Sequence, residues 1–197
     1  SVEAILHAII PFAYVDHTHA DAVVAITNTD AGEQRIREVY GARVLVVPYV
    51  MPGFILARQV YEMTRGVDWN QLDGLVLMNH GVVSFGEDAQ TSYERMIDLV
   101  TTAEAYLRRH GAWQAVVTAE QEAPAPPPQR LARVRRAVCA ARGVSVVARF
   151  DENEATRGFA SRPSAVPTAT RGPLTLDHLT RTKRIPLVIG DDPADDV

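Results

Sequence analysis

The first 111 residues read as an α/β fold, on three observations. Short apolar runs alternate with amphipathic stretches closed by glycine. Two of the apolar runs are separated only by the turn-forming Asn79-His80-Gly81, which predicts an antiparallel hairpin. A proline-rich break, "EAPAPPPQ" at 122–129, separates this alternation from the C-terminal part of the chain.

Each element has its own local signals. Residues 3–11 predict a helix, with Ser1 as cap and Pro11 as stop. "FAYVDHTH" predicts a strand, and "ADAVVAIT" a short helix behind it. "GEQRIREVYG" predicts a helix ended by Gly41, and "RVLVVPYV" a buried strand interrupted at Pro48. "PGFILARQVYEMTRG" has proline near its start and glycine at its end, the usual asymmetry of a helix. The hairpin "DGLVLMNHGVVSFGED" comes next. "DAQTSYERMIDLVTTAEAYLRRHG" is then a long helix, with Asp88 near its start and Arg108, Arg109 and His110 in its last turn, where each charge suits the dipole.

We divide the chain into a domain at 1–118, a stiff linker at 119–129, a small α/β extension at 130–190 and an acidic tail at 191–197. The extension opens with a basic helix, "QRLARVRRAVCAARG", whose five arginines suit a solvated face and whose Cys139 suits a small core position. "VSVVARF" predicts a strand. Residues 151–172 are weakly patterned, and "LTLDHLTRTKRIPLVIG" comes after them.

Bulk composition narrows the function. Hydrophobic residues make up 47% and charged residues 22%, as in an ordinary globular protein. A net charge of -4 argues against nucleic acid as a partner. No apolar run approaches the ~20 residues that cross a bilayer, so no membrane partner is expected. "SVEAILHAII" lacks a basic n-region, so it does not read as a signal peptide. The single cysteine fits a reducing compartment, and a cytoplasmic location is expected. The chain opens at Ser1 with no methionine, which suggests a piece of a longer protein.

The chemistry is concentrated in "YVDHTHADAVV". On a strand, residues i and i+2 share a face, so His17 and His19 project together while Asp16 points away. Two protonated imidazoles there would repel, whereas a metal ion uses both neutral nitrogens at once. Taken alone, a His-x-His pair is more often two ordinary histidines at a strand end. His80 supplies the third element: it sits at a tight turn behind a buried strand, which holds a ligand firmly, although Asn-His-Gly is also simply a good turn. Three histidines with one position open match a catalytic zinc site. Glu3 and His7 share a helix face. Glu3 lies in an otherwise apolar stretch and is the candidate carboxylate for moving a proton; His7 reads equally well as solvated.

These residues resemble the class II aldolase/adducin family over roughly residues 1–111. "SVEAILH" is similar to its Ser-x-Glu followed by His, "DHTHAD" to its His-x-His pair, and "LVLMNHGVVSFGED" to its third-ligand hairpin. "HAIIPFAYVDHTHADAVVAI", "VPYVMPGFILA" and "LTLDHLTRTKRIPL" further resemble the aldolase part of bifunctional rhamnulose-1-phosphate aldolase/short-chain dehydrogenase proteins. The resemblance implies a three-layer α/β/α domain with a mostly antiparallel central sheet, and a homo-oligomer. It implies zinc or another divalent ion on His17, His19 and His80, with Glu3 as catalytic acid/base. The implied substrate is a small phosphorylated sugar, a ketose 1-phosphate such as rhamnulose 1-phosphate. Cleavage would give dihydroxyacetone phosphate and a small aldehyde. The chain departs from the subgroup in lacking a Gly-x-Gly-x-x-Gly fingerprint and the family's upstream phosphate-contacting loops. The family also holds a sugar-phosphate 4-epimerase and the non-enzymatic adducin, and an inactive remnant is a further alternative. His178, Arg181 and Lys183 are candidates for contacting an anionic substrate.

Overall fold

The computed structural model describes residues 2–113 and 125–190, without the side chains of Val2, Glu3 and Leu176. The expected acidic tail, most of the linker and the side chain of Glu3 therefore lie outside the described residues. The described residues form two compact units, one of residues 2–113 with 174–181, the other of 125–173 with 182–190.

In the first unit, α1 (Val2–Ile9) leads into β1 (Tyr14–Thr18). Helices α2 (Asp21–Thr27) and α3 (Gly32–Tyr40) precede β2 (Val44–Val47). Helix α4 (Phe54–Thr64) connects β2 to β3 (Gly74–Leu77), which turns into β4 (Gly81–Gly86). Helix α5 (Ala89–Arg109) comes next; Asp88 caps it by accepting from the Thr91 backbone N–H at 2.7 Å. That bond holds the Asp88 carboxyl below its ordinary range.

The sheet order is β1-β4-β3-β2. It is mixed, not mostly antiparallel as expected: β1–β4 and β3–β4 are antiparallel, and β2–β3 is parallel. The crossover through α4 dictates this, because a strand returning after a helix on one face runs parallel to the first.

Strand alternation splits the core into two halves, giving the three layers. Val44, Val46, Val76 and Val82 face α2, α3 and α5 with Ile26, Ile36 and Leu99. Val47, Leu75, Leu77, Val83 and Phe85 face α1 and α4 with Leu6, Leu56 and Val60. Because both faces are covered, β3 and β4 are apolar throughout except for Ser84. Buried Ser84 is satisfied by donating to the Ser92 carbonyl of α5 at 2.8 Å.

The second unit contains α6 (Pro128–Arg142), α7 (Glu154–Ala160) and α8 (Ala165–Ala169). No residue of α6 is buried, and Cys139 is half-buried, not a core residue. The strand expected at 144–150 does not form. The segment lies back along α6, where Arg135 donates to the Val146 carbonyl and the Val146 N–H reaches the Cys139 sulfur. A strand needs an edge to pair with, and no partner strand lies beyond Gly86 among the described residues. Short helices occupy the weakly patterned 151–172; α7 is held by a reciprocal capping box between Asn153 and Thr156. Residues 174–181, assigned from sequence to the extension, pack with the first unit and carry α9 (Leu176–Arg181). Among the described residues no helix is long and apolar enough to cross a membrane.

Phe85 is fully buried, stacks on Phe12 at 4.8 Å and meets Trp69 edge-on at 5.4 Å. Phe85→Ala is expected to lower the unfolding free energy by about 3–5 kcal/mol. Urea denaturation measures it; a loss below about 1 kcal/mol would place the packing centre elsewhere.

Candidate metal centre

Three separate pieces of backbone deliver three imidazoles to one place. His17 lies on β1, His19 just beyond its end, and His80 at the tip of the β3–β4 hairpin. The His17 and His19 ring centres are 4.9 Å apart, His17 and His80 5.1 Å, and His19 and His80 4.9 Å. One ring nitrogen from each lies within 4.8 Å of the others, and all three residues are half-buried. The sequence-predicted histidines are thus brought together. His7 is exposed on α1 and outside the group, and His110 stacks on Tyr106 at 4.3 Å at the end of α5.

The local sequence explains each placement. Asp16 points to the opposite face, where its carboxylate accepts from the Ser92 hydroxyl of α5 at 2.6 Å. That bond and the strand alternation leave His17 on the other side. Asn79 occupies the left-handed region at φ 57°, which asparagine tolerates better than most residues. Its amide donates to Asn28 at 2.6 Å, and its backbone N–H donates to the Thr27 hydroxyl at 3.2 Å. These bonds tie the hairpin tip to the end of α2 and so fix the loop that carries His80. Gly81 is required by close approach. A β-carbon there would meet the Thr18 carbonyl at 2.4 Å, His17 Cε1 at 3.1 Å and His19 Cδ2 at 3.2 Å.

Two of the rings have their tautomers set. His17 Nδ1 lies 3.0 Å from the Val82 carbonyl, which only accepts, so Nδ1 carries the proton and Nε2 keeps its lone pair. His19 Nδ1 lies 2.7 Å from Asp177 Oδ2, with the same consequence. The His19 bond holds the Asp177 carboxyl below its ordinary range, so it is an anion at neutral pH. Neutral nitrogens with their outer N–H groups held by oxygen are the donor set a divalent ion takes.

Sequence reasoning placed Asn79 in the turn but missed Asp177 and the Val82 carbonyl. Asp177 sits 158 residues from His19, and no spacing rule connects them. It lay in the "LTLDHLTRTKRIPL" stretch that carries part of the resemblance, but there only the basic groups were weighed as site residues. His178 and Arg181 are exposed on α9, and neither belongs to the three-histidine group.

Comparison with known proteins fits this geometry. Residues 1–107 match the Class II Aldolase and Adducin N-terminal domain, and residues 126–197 match the Aldolase class II, second domain. The chain belongs to the class II aldolase/adducin family. The uncharacterized oxidoreductase YuxG of Bacillus subtilis (strain 168) is 34% identical over 98% of this chain, which spans 28% of that protein. The N-terminal class II aldolase domain of a conserved Thermoplasma acidophilum protein is 42% identical. That match covers 55% of this chain and 48% of that one, with a TM-score of 0.48. An aldolase II superfamily protein from Pseudomonas syringae is 17% identical over 85% of this chain and 63% of that one, with a TM-score of 0.45. The chain therefore spans less than two thirds of each of these relatives.

Gly81→Ala is expected to lower stability by about 1–3 kcal/mol through overpacking. It also shifts the imidazole NMR signals of His17 and His19. Unchanged ring signals would contradict the close approach.

Proposed function

We propose that this chain is the metal-binding part of a divalent-metal-dependent class II aldolase that cleaves a ketose 1-phosphate of the rhamnulose 1-phosphate type. One observation carries the reading: three half-buried imidazoles converge within 5.1 Å, two of them with oxygen-held outer N–H groups. Family membership supports it, since a structural use of histidine would not need this convergence.

His17, His19 and His80 would hold the ion. Zinc suits three nitrogen donors with an open position better than magnesium or calcium, which prefer oxygen. When bound, the ion supplies Lewis-acid polarisation of the substrate carbonyl. Cleavage breaks the C3–C4 bond. The electron pair stays on C3, which takes up a proton, while the C4 hydroxyl gives up its proton as the aldehyde forms. We assign the proton at C3 to Glu3, on the family resemblance. The products are dihydroxyacetone phosphate and a small aldehyde such as lactaldehyde.

The oxidoreductase name of the Bacillus relative is consistent with a protein in which an aldolase part is joined to a dehydrogenase. A phosphorylated sugar as the partner molecule, a homo-oligomer and a cytoplasmic location belong to the same proposal.

The test is release of dihydroxyacetone phosphate from rhamnulose 1-phosphate by the intact zinc-loaded protein that carries this chain. Glu3→Gln is expected to lower kcat by about 10²–10⁴-fold with zinc retained. Epimerised sugar phosphate with no free triose would favour the epimerase. Zinc uptake without turnover of any ketose phosphate would favour a non-catalytic role.

A further inference from the structure

Resting on the metal reading above, we propose that Asp177 is a positioning residue for His19, so that segment 174–181 is a working part of the metal centre. The observation is the 2.7 Å contact between His19 Nδ1 and Asp177 Oδ2. An ionised carboxylate only accepts, so the contact places the proton on Nδ1 and leaves the Nε2 lone pair for the ion. It also fixes the ring's rotation. His19 needs such a hold, because it lies one residue past the end of β1, where no strand pairing restrains it. His17 is held instead by the ladder and by the Val82 carbonyl.

The packing supports the same assignment. Residues 174–181 lie far along the chain, yet they belong to the compact unit of the histidines and not to the unit formed by their sequence neighbours. The side chains also divide unequally: His19 is 17% exposed and Asp177 54% exposed. An ordinary surface ion pair has two exposed partners. Here an exposed carboxylate reaches onto an imidazole whose ring centre lies 4.9 Å from each of two other imidazoles. The oxygen acceptor also matches the hold on His17, so both rings of the His-x-His pair have Nδ1 held by oxygen, one by a carbonyl and one by a carboxylate.

Outer acceptors of this kind are worth about 10–100-fold in metal affinity. Partial exposure of Asp177 places its effect toward the lower end. The experiment measures Zn²⁺ affinity by competition with a chromogenic chelator, in the full chain. Asp177→Ala is expected to weaken Zn²⁺ binding about tenfold or more. Asp177→Asn keeps an acceptor without the charge, so its loss is smaller. Asp151→Asn, which removes an exposed carboxylate paired with Arg149, leaves the affinity unchanged. With Co²⁺ at saturation, Asp177→Ala still binds but shifts the visible absorption, a signature that a general loss of stability does not produce. Circular dichroism confirms that each variant is folded.

Two results would overturn the inference and differ in what else they remove. If Asp177→Ala binds Zn²⁺ within twofold of the unaltered chain while His80→Ala loses the ion, Asp177 has no positioning role and the metal reading stands. If the unaltered chain takes up no Zn²⁺, the metal reading itself fails and this inference with it.

Discussion

Antiparallel pairing of Tyr14–Thr18 with Gly81–Gly86 joins positions from Thr18↔Val82 to Tyr14↔Gly86, far apart in sequence, in a register that sets His17 opposite Val83. A slip of one residue would turn His17 toward α5 and Asp16 toward the other two histidines. The register is therefore the constraint on which the site depends. Three features hold it: the Asp16–Ser92 hydrogen bond, the Val82 carbonyl on His17, and Gly81, where only a missing β-carbon lets the strands approach. The same residues that secure the pairing also aim the imidazoles.

The rest of the first unit makes that register rigid. β4 is central, buried on one side by the α2–α3–α5 half of the core and on the other by the α1–α4 half. At ~1.5–3 kcal/mol for each fully buried large apolar side chain, the core far outweighs the surface ion pairs, which contribute at most ~1 kcal/mol each. Packing thus fixes the sheet, the sheet fixes His17, and hydrogen bonds at the hairpin tip fix the loop that carries His80. His19 lies beyond the strand end, where its hold comes from Asp177.

Much of the first unit was legible in the sequence because its elements obey local rules. Apolar alternation found β1, β2 and the hairpin, and Asp88 and Gly111 marked the ends of α5. The His-x-His spacing and the Asn79-His80-Gly81 turn pointed to the metal centre. The features that were not legible are non-local. The parallel β2–β3 pair arises from a crossover, which the mostly antiparallel expectation left out. The run at 144–150 has strand composition but no edge to join. Asp177 meets His19 through tertiary packing alone. Glu3 remains an assignment from the family resemblance.

The central claim is that three histidines together hold one divalent ion. Zinc K-edge X-ray absorption on the zinc-loaded chain tests it most directly. Three imidazole nitrogens per zinc are expected at about 2.0–2.1 Å, with the outer-shell scattering that rigid imidazole rings produce. A sulfur ligand at about 2.3 Å, or fewer than two imidazoles per zinc, would contradict it.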